Sequence, residues 1–240
     1  MEGIDAAHKL TILGSIAFGV PLQFDKTYVE GIGKIEQQDV LYAGELGYRI
    51  KHLGIIRKTA KGIEQRVHLS LIPERRLIAN VDGVMNAVLV MGDAVGSTLY
   101  YGAGAGSEPT ASAVVADVVD VVRALTTDPE NRVPHLGFQP DALSDINILP
   151  MEDTETAYYL RMHAIDKPGV LAEVTRILGD SGISIEAILQ KEPATDASFV
   201  PIIFLTQRIK EKNMNDAIIK IEQLDVIDGE IMRIRMETLE

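Results

Sequence analysis

Residues 161–188 read RMHAIDKPGVLAEVTRILGDSGISIEAI, and this stretch decides the fold of the C-terminal part of the chain. A strand is expected over 158 to 164, followed by the turn Asp166-Lys167-Pro168-Gly169 and a helix over 170 to 180. Val170, Val174, Ile177 and Leu178 recur on that helix at three- and four-residue steps, as on a helix with one buried face. Strands over 183 to 190 and 198 to 206, a helix over 210 to 224 and a strand over 229 to 237 complete the order βαββαβ. The second helix carries its own stripe, Met214, Ala217, Ile218 and Ile221. This is the ferredoxin-like pattern. It hosts many functions, so topology alone assigns none. The turn says more. Gly169 removes a side chain where a ligand must approach, and the helix start at Val170 can hold a carboxylate. The same turn could equally dock a second subunit without any ligand.

Working back from that unit, residues 128 to 157 lack periodicity and hold four of the ten prolines. A domain boundary is therefore expected there, giving units 1–151 and 152–240. Before it, residues 100–122 read YYGAGAGSEPTASAVVADVVDVV. A strand over Gly96 to Tyr101 runs into glycines 102, 104 and 106, and a valine-rich helix is expected from near Pro109. Glycines between a strand and a helix start let backbone amides approach an anion. The spacing here is Gly-x-Gly-x-Gly, not the dinucleotide fingerprint Gly-x-Gly-x-x-Gly, and tight strand-to-helix packing explains it as well.

Three strands are expected over 53 to 58, 63 to 72 and 84 to 91, with Gly62, Pro73 and Gly92-Asp93 as turns. Val67, Leu69 and Leu71 alternate with His68 and Ser70 as on a half-buried strand, which makes His68 an outward residue. Further back, Asp39 is read as the cap of a helix carrying Val40, Leu41, Ala43, Leu46 and Ile50, after a loop over 19 to 38. The chain opens with EGIDAAHK (2–9) running into LTILGSIAFG. Asp5 and Lys9 lie four apart on an expected helix, so a carboxylate and an ammonium share one face. Leu10, Ile12, Leu13, Ile16, Ala17 and Phe18 are apolar nearly all round, and predict a buried helix whose polar start opens onto an enclosed space.

With 240 residues the chain can bury two ordinary cores. A net charge of −12 and an isoelectric point near 4.9 argue against nucleic acid or an anionic membrane as partner. There is no cysteine, and the five histidines (8, 52, 68, 135 and 163) stand singly, so no disulfide and no metal site is read from the sequence. A reducing cytoplasm fits. No stretch is apolar enough to span a bilayer, and the start lacks a basic signal-peptide region.

The pattern Gly3-x-Asp5-x-x-x-Lys9 resembles the signature of homoserine dehydrogenases, and the resemblance continues through the Gly-rich turn followed by Pro109-Thr110-Ala111. It implies an α+β fold: a mixed-sheet catalytic domain followed by the ferredoxin-like unit, which resembles an ACT domain. By this resemblance Lys9 is the proton donor and acceptor and Asp5 binds the amino-acid substrate. Gly106, in the turn with Gly104, touches the nicotinamide end of NADP or NAD. The reaction implied interconverts L-aspartate 4-semialdehyde and L-homoserine. Asp166, Gly169 and Val170 would form an allosteric amino-acid site, with threonine as effector, and the chain would assemble as a homo-oligomer. Ala103 replaces a proline found in many relatives, a change expected to matter little. Family members also carry an aspartate, a glutamate and a whole dinucleotide-binding domain ahead of the glycine, where this chain has Met1. The chain is thus expected to be the C-terminal part of a longer enzyme, inactive or nearly so alone. The alternative is a non-catalytic piece for oligomerisation and amino-acid binding.

Overall fold

A computed structural model describes residues 2–128, 132–134, 136–191 and 199–239; His135 and the first residue of the strand expected from 198 lie outside them. In chain order the elements are α1 (Ile4–Phe18), β1 (Tyr28–Val29), α2 (Gln37–Glu45), β2 (Tyr48–Thr59), β3 (Gly62–Pro73), β4 (Met85–Gly92), β5 (Gly96–Ala103) and α3 (Ser107–Thr126). Then follow β6 (Glu155–Ile165), α4 (Val170–Asp180), β7 (Ile185–Gln190), β8 (Phe199–Thr206), β9 (Ile209–Lys210), α5 (Glu211–Glu222) and β10 (Ile227–Met236). The mixed α+β architecture and the βαββαβ order expected of the C-terminal unit are both present.

That unit forms because its two amphipathic helices cover one face of an antiparallel sheet. Val170, Val174 and Leu178 of α4 and Met214, Ala217 and Ile221 of α5 pack on Tyr158, Leu160, Met162 and Ala164 of β6, with Val200, Ile202 and Phe204 of β8. Each such side chain stabilises the fold by about 1.5 to 3 kcal/mol on burial. The strands alternate, so Tyr159, Ile203, Leu205, Ile234 and Met236 emerge on the opposite face. There they meet α2, through Tyr42 and Ala43, and Leu69 and Leu71 of β3. A helix from the first part of the chain thus covers the second face of the ACT-like sheet.

The sheet itself is also shared. Its order is β1-β3-β10-β6-β8-β7, with β2 on the far side of β3, while β4 and β5 form a separate hairpin. β10 runs parallel to β3, Arg235 opposite Ser70 and Met236 opposite Leu71, and Glu237 N–H donates to the Leu71 carbonyl at 2.9 Å. The boundary expected near residue 152 falls just before β6, and one sheet crosses it.

Three expectations need correction. β3 is buried along its whole length, and His68 is fully buried rather than outward, its ring bonded to Arg66 and the Leu69 carbonyl on a face where Arg66 also meets Glu237 from the far end of the chain. Asp39 is the third residue of α2, not its cap; Glu36 caps the helix and Asp39 returns a bond to its N–H at 3.0 Å, a reciprocal capping box. Ile50 of the expected stripe belongs to β2, and Val40 and Leu41 are exposed. The first helix, finally, is not buried all round: Ala7, Leu10, Thr11, Gly14 and Ser15 face the sheet, whereas Ile4, Ile12, Leu13 and Ile16 are 41–48% exposed.

Candidate active site and its relatives

Gly3 opens α1 in the left-handed conformation, φ 81°, where a side chain costs about 1–2 kcal/mol. A Cβ there would also stand 2.9 Å from Cε1 of His52 and 3.1 Å from Val29. The His52 ring is held by a 3.0 Å bond between Nε2 and the Glu30 carbonyl. One turn on, Lys9 Nζ reaches Asp5 Oδ2 at 2.8 Å, with the two side chains 69% and 84% exposed. The face-sharing read from the four-residue spacing is therefore real, but no enclosed space surrounds the pair. His8 between them is stacked on Phe24, ring centroids 4.0 Å apart.

A polar knot fixes α1 on the sheet. Thr11 Oγ1 donates to the Ala7 carbonyl at 2.8 Å, and Gln65 Nε2 of β3 donates to Thr11 Oγ1 at 3.2 Å and to Thr27 Oγ1. Around it Ala7 and Leu10 pack on Val67. Leu10 lies over Gly54 of β2, where an added Cβ would just touch its Cδ1 at 3.4 Å.

The Gly-rich turn has conformational reasons of its own. A Cβ on Gly104 would overlap Asn86 Nδ2 at 1.6 Å, and Gly106, at φ 129°, caps α3. No side chain caps that helix start, so its first N–H groups are free for a ligand. Val114, Val115, Val118, Val121, Val122 and Leu125 of α3 form an exposed apolar ridge.

A hollow of about 190 Å³ lies between β2 and β4, lined by Lys51, His52, Leu53, Met85, Asn86 and their neighbours. Two of these residues tie the motifs together: His52 is the side chain against Gly3, and Asn86 the one against Gly104. Lys51 is spent on the Val81 carbonyl at 2.6 Å and Asp82 at 2.8 Å. Neither His52 nor Asn86 was singled out from the sequence, and nothing in their local patterns marks them. Among the described residues no cluster of His, Asp or Glu could hold a metal ion.

In the C-terminal unit Gly169 adopts φ 96° at the start of α4 with open space where a Cβ would go. Val170 points its side chain into the core, and its N–H donates to the Lys167 carbonyl at 3.4 Å.

The family model for homoserine dehydrogenase matches residues 1–119, and that for the ACT domain matches residues 158–223. The chain belongs to the homoserine dehydrogenase family. It is 66% identical to the homoserine dehydrogenase of Pseudomonas aeruginosa over 239 residues, covering 100% of this chain and 55% of that protein. The homoserine dehydrogenase of Neisseria gonorrhoeae is 53% identical over the same span of 239 residues, 55% of its length. The crystal structure of a homoserine dehydrogenase from Thiobacillus denitrificans superposes with a TM-score of 0.92 at 66% identity, over 100% of this chain and 54% of that one. A Staphylococcus aureus homoserine dehydrogenase, at 23% identity and a TM-score of 0.66, shares the fold. The chain spans about 55% of the length of the curated relatives it matches. No helix is long and apolar enough to cross a membrane among the described residues. The Gly3–Lys9 motif of this family member lies at the start of α1, and the Gly-rich turn joins β5 to α3.

Proposed function

We propose that this chain carries the substrate and proton-transfer half of a homoserine dehydrogenase, together with its amino-acid-sensing ACT unit, within units 1–151 and 152–240. The reaction is the interconversion of L-aspartate 4-semialdehyde and L-homoserine with NADP or NAD, in threonine, methionine and isoleucine biosynthesis. The observation that carries this reading is the hollow between β2 and β4, whose His52 and Asn86 stand against Gly3 and Gly104, one glycine from each motif. Asp5, Lys9 and Gly106 themselves do not line that hollow; what supports the reading is that one lining residue stands against a glycine of each motif.

The nicotinamide, when bound, supplies or takes the hydride at the substrate carbonyl carbon. Everything else falls to side chains and backbone of the protein. Hydride addition to an aldehyde leaves an alkoxide, and the Lys9 ammonium stabilises it and gives up the proton. Asp5, 2.8 Å away, holds that ammonium in place and takes the polar end of the amino acid. Gly106, which has no side chain of its own, and the uncapped N–H groups at the start of α3 fit the carboxamide end of a nicotinamide. A dinucleotide-binding unit would seat against the valine ridge of α3.

The test is a chimera in which this chain replaces the matching 239 residues of the Pseudomonas aeruginosa relative. The chimera should reduce NADP with homoserine. Lys9→Ala should lower turnover by about 10²- to 10⁴-fold, the usual yield of general acid–base catalysis, with NADP still bound. Turnover near that of the parent would remove Lys9 from the role.

The exposure of Asp5 and Lys9 favours a second reading for the 240-residue chain by itself: an assembly and amino-acid-binding piece without turnover, forming homo-oligomers in the cytoplasm. Robust homoserine-dependent NADP reduction by the chain alone would dismiss it.

A further inference from the structure

β3 has two faces with separate duties. Its odd-numbered residues hold α1: Gln65 bonds Thr11 of α1 and Thr27, and Val67 packs on Ala7 and Leu10. The even-numbered residues Glu64, Arg66, His68 and Ser70 form a buried polar strip on the other side, as the two-residue period of a strand requires. The strip is completed from the far end of the sequence. Glu237 Oε1 accepts from Arg66 Nη1 at 2.7 Å, with side chains 4% and 1% exposed. Arg66 also bonds Glu64 at 3.2 Å and His68 Nε2 at 2.8 Å. Arg57 approaches the second carboxylate oxygen of Glu237 at 3.6 Å.

We propose that Glu237 is a positioning residue for α1, acting through Arg66 and β3 on the helix that carries Asp5 and Lys9. Glu237 follows directly on the last strand of the ACT unit, and the residue it grips sits between Gln65 and Val67, two of the residues that hold α1. Removing the carboxylate leaves the Arg66 guanidinium buried with Glu64 as its remaining acid partner. Arg66 and Arg57 then face each other with one shared carboxylate fewer, and the seam that steadies β3 beneath Thr11 and Leu10 loosens. The link between the ACT unit's last strand and α1 is mechanical: two faces of one strand. It holds whether or not Lys9 transfers a proton; its bearing on turnover rests on the role proposed for that lysine.

Amide hydrogen exchange on the whole 240-residue chain tests it without a ligand. In Glu237→Gln, amides of α1 from Ala7 to Phe18 should exchange at least tenfold faster than in the parent, while the β4–β5 hairpin and α4 keep their rates. Unchanged exchange in α1 would overturn the proposal. An equal acceleration across α1, α4 and the hairpin would overturn it too, since that pattern marks general loss of stability. Should Glu237→Gln fail to fold, Glu237→Asp retains the charge on a shorter stem and should give a smaller acceleration confined to α1. In the chimera, the same Glu237→Gln change should raise KM for homoserine or lower turnover only if Lys9 and Asp5 act as proposed. Altered α1 exchange with unaltered kinetics would therefore refute the catalytic assignment and leave the mechanical link standing.

Discussion

Asp39 of α2 and Arg161 of β6, 122 residues apart in sequence, form a buried two-point ion pair, with Arg161 Nε at 2.7 Å from one carboxylate oxygen and Nη2 at 3.1 Å from the other. The Tyr159 hydroxyl donates to the same carboxylate at 3.0 Å. Burial, with the Asp39 carboxylate beside it, pushes the Tyr159 phenol far above its ordinary range. The pair joins the first part of the chain to the ACT unit beside a cluster of apolar residues from both.

Asp39→Ala should therefore destabilise the protein by about 3–5 kcal/mol, the cost of leaving a buried cation without its partner. Glu36, half out in solvent at 3.1 Å from Arg161, offsets part of that loss. Urea unfolding of parent and variant measures it directly. A change below about 1 kcal/mol would mean that Glu36 alone holds the guanidinium.

His68 predicts an acid-sensitive fold. Arg66 can only donate, so Nε2 of His68 accepts at 2.8 Å, and the proton of the neutral ring sits on Nδ1, facing the Leu69 carbonyl at 2.8 Å. Burial foremost, then the charges of Arg235 and Arg66, with His52 behind them, hold its pKa well below 6.5. Between that depressed value and 6.5 the unfolded chain binds a proton that the native chain refuses. Stability is thus full above 6.5 and falls as the pH drops below it, by at most about 1.4 kcal/mol per pH unit. Glu211, held below 4.5 by the Arg235 pairing against the opposing cost of burial, adds its own loss only at lower pH. Denaturant midpoints from pH 7.5 to 5 should slope downward in the parent, and the slope should flatten in His68→Gln.

Gly3→Ala should cost about 1–3 kcal/mol, as for a residue held in a sparsely populated backbone region, from two separable sources. One is the left-handed φ of 81°, and the other is the 2.9 Å approach to His52. Adding His52→Ala to Gly3→Ala should recover the steric part and leave the conformational part. A double variant no more stable than Gly3→Ala alone would show that the ring swings away freely and does not pin the start of α1.

What the sequence disclosed follows from how local each signal is. The stripe on α4 repeats every three or four residues, so its helix from Val170 to Asp180 could be read without knowing its partner. His68 could not be placed this way: alternation puts it opposite Val67 and Leu69, but only β10, some 165 residues further on, determines that this side is closed. The open face of α1 is the converse, an apolar surface for which no partner stands among the described residues packed on it. His52 and Asn86 carry no pattern at all, since their importance comes from which glycine each one touches.

The ACT unit supplies the remaining prediction. Gly169 adopts a φ of 96° with open space where a Cβ would go, so Gly169→Ala should lower stability by about 1–2 kcal/mol through backbone strain. A threonine bound at this turn would set its carboxylate on the free N–H groups of α4 and its ammonium toward Asp166. Calorimetry on the chain should then show threonine binding that Asp166→Ala weakens at least tenfold, and threonine should raise the melting temperature of the parent but not of that variant. Asp166 sits on an exposed turn, so its loss should leave the melting temperature without threonine unchanged. No heat and no thermal shift with threonine would remove it as effector; undiminished binding in Asp166→Ala would move the site away from the turn.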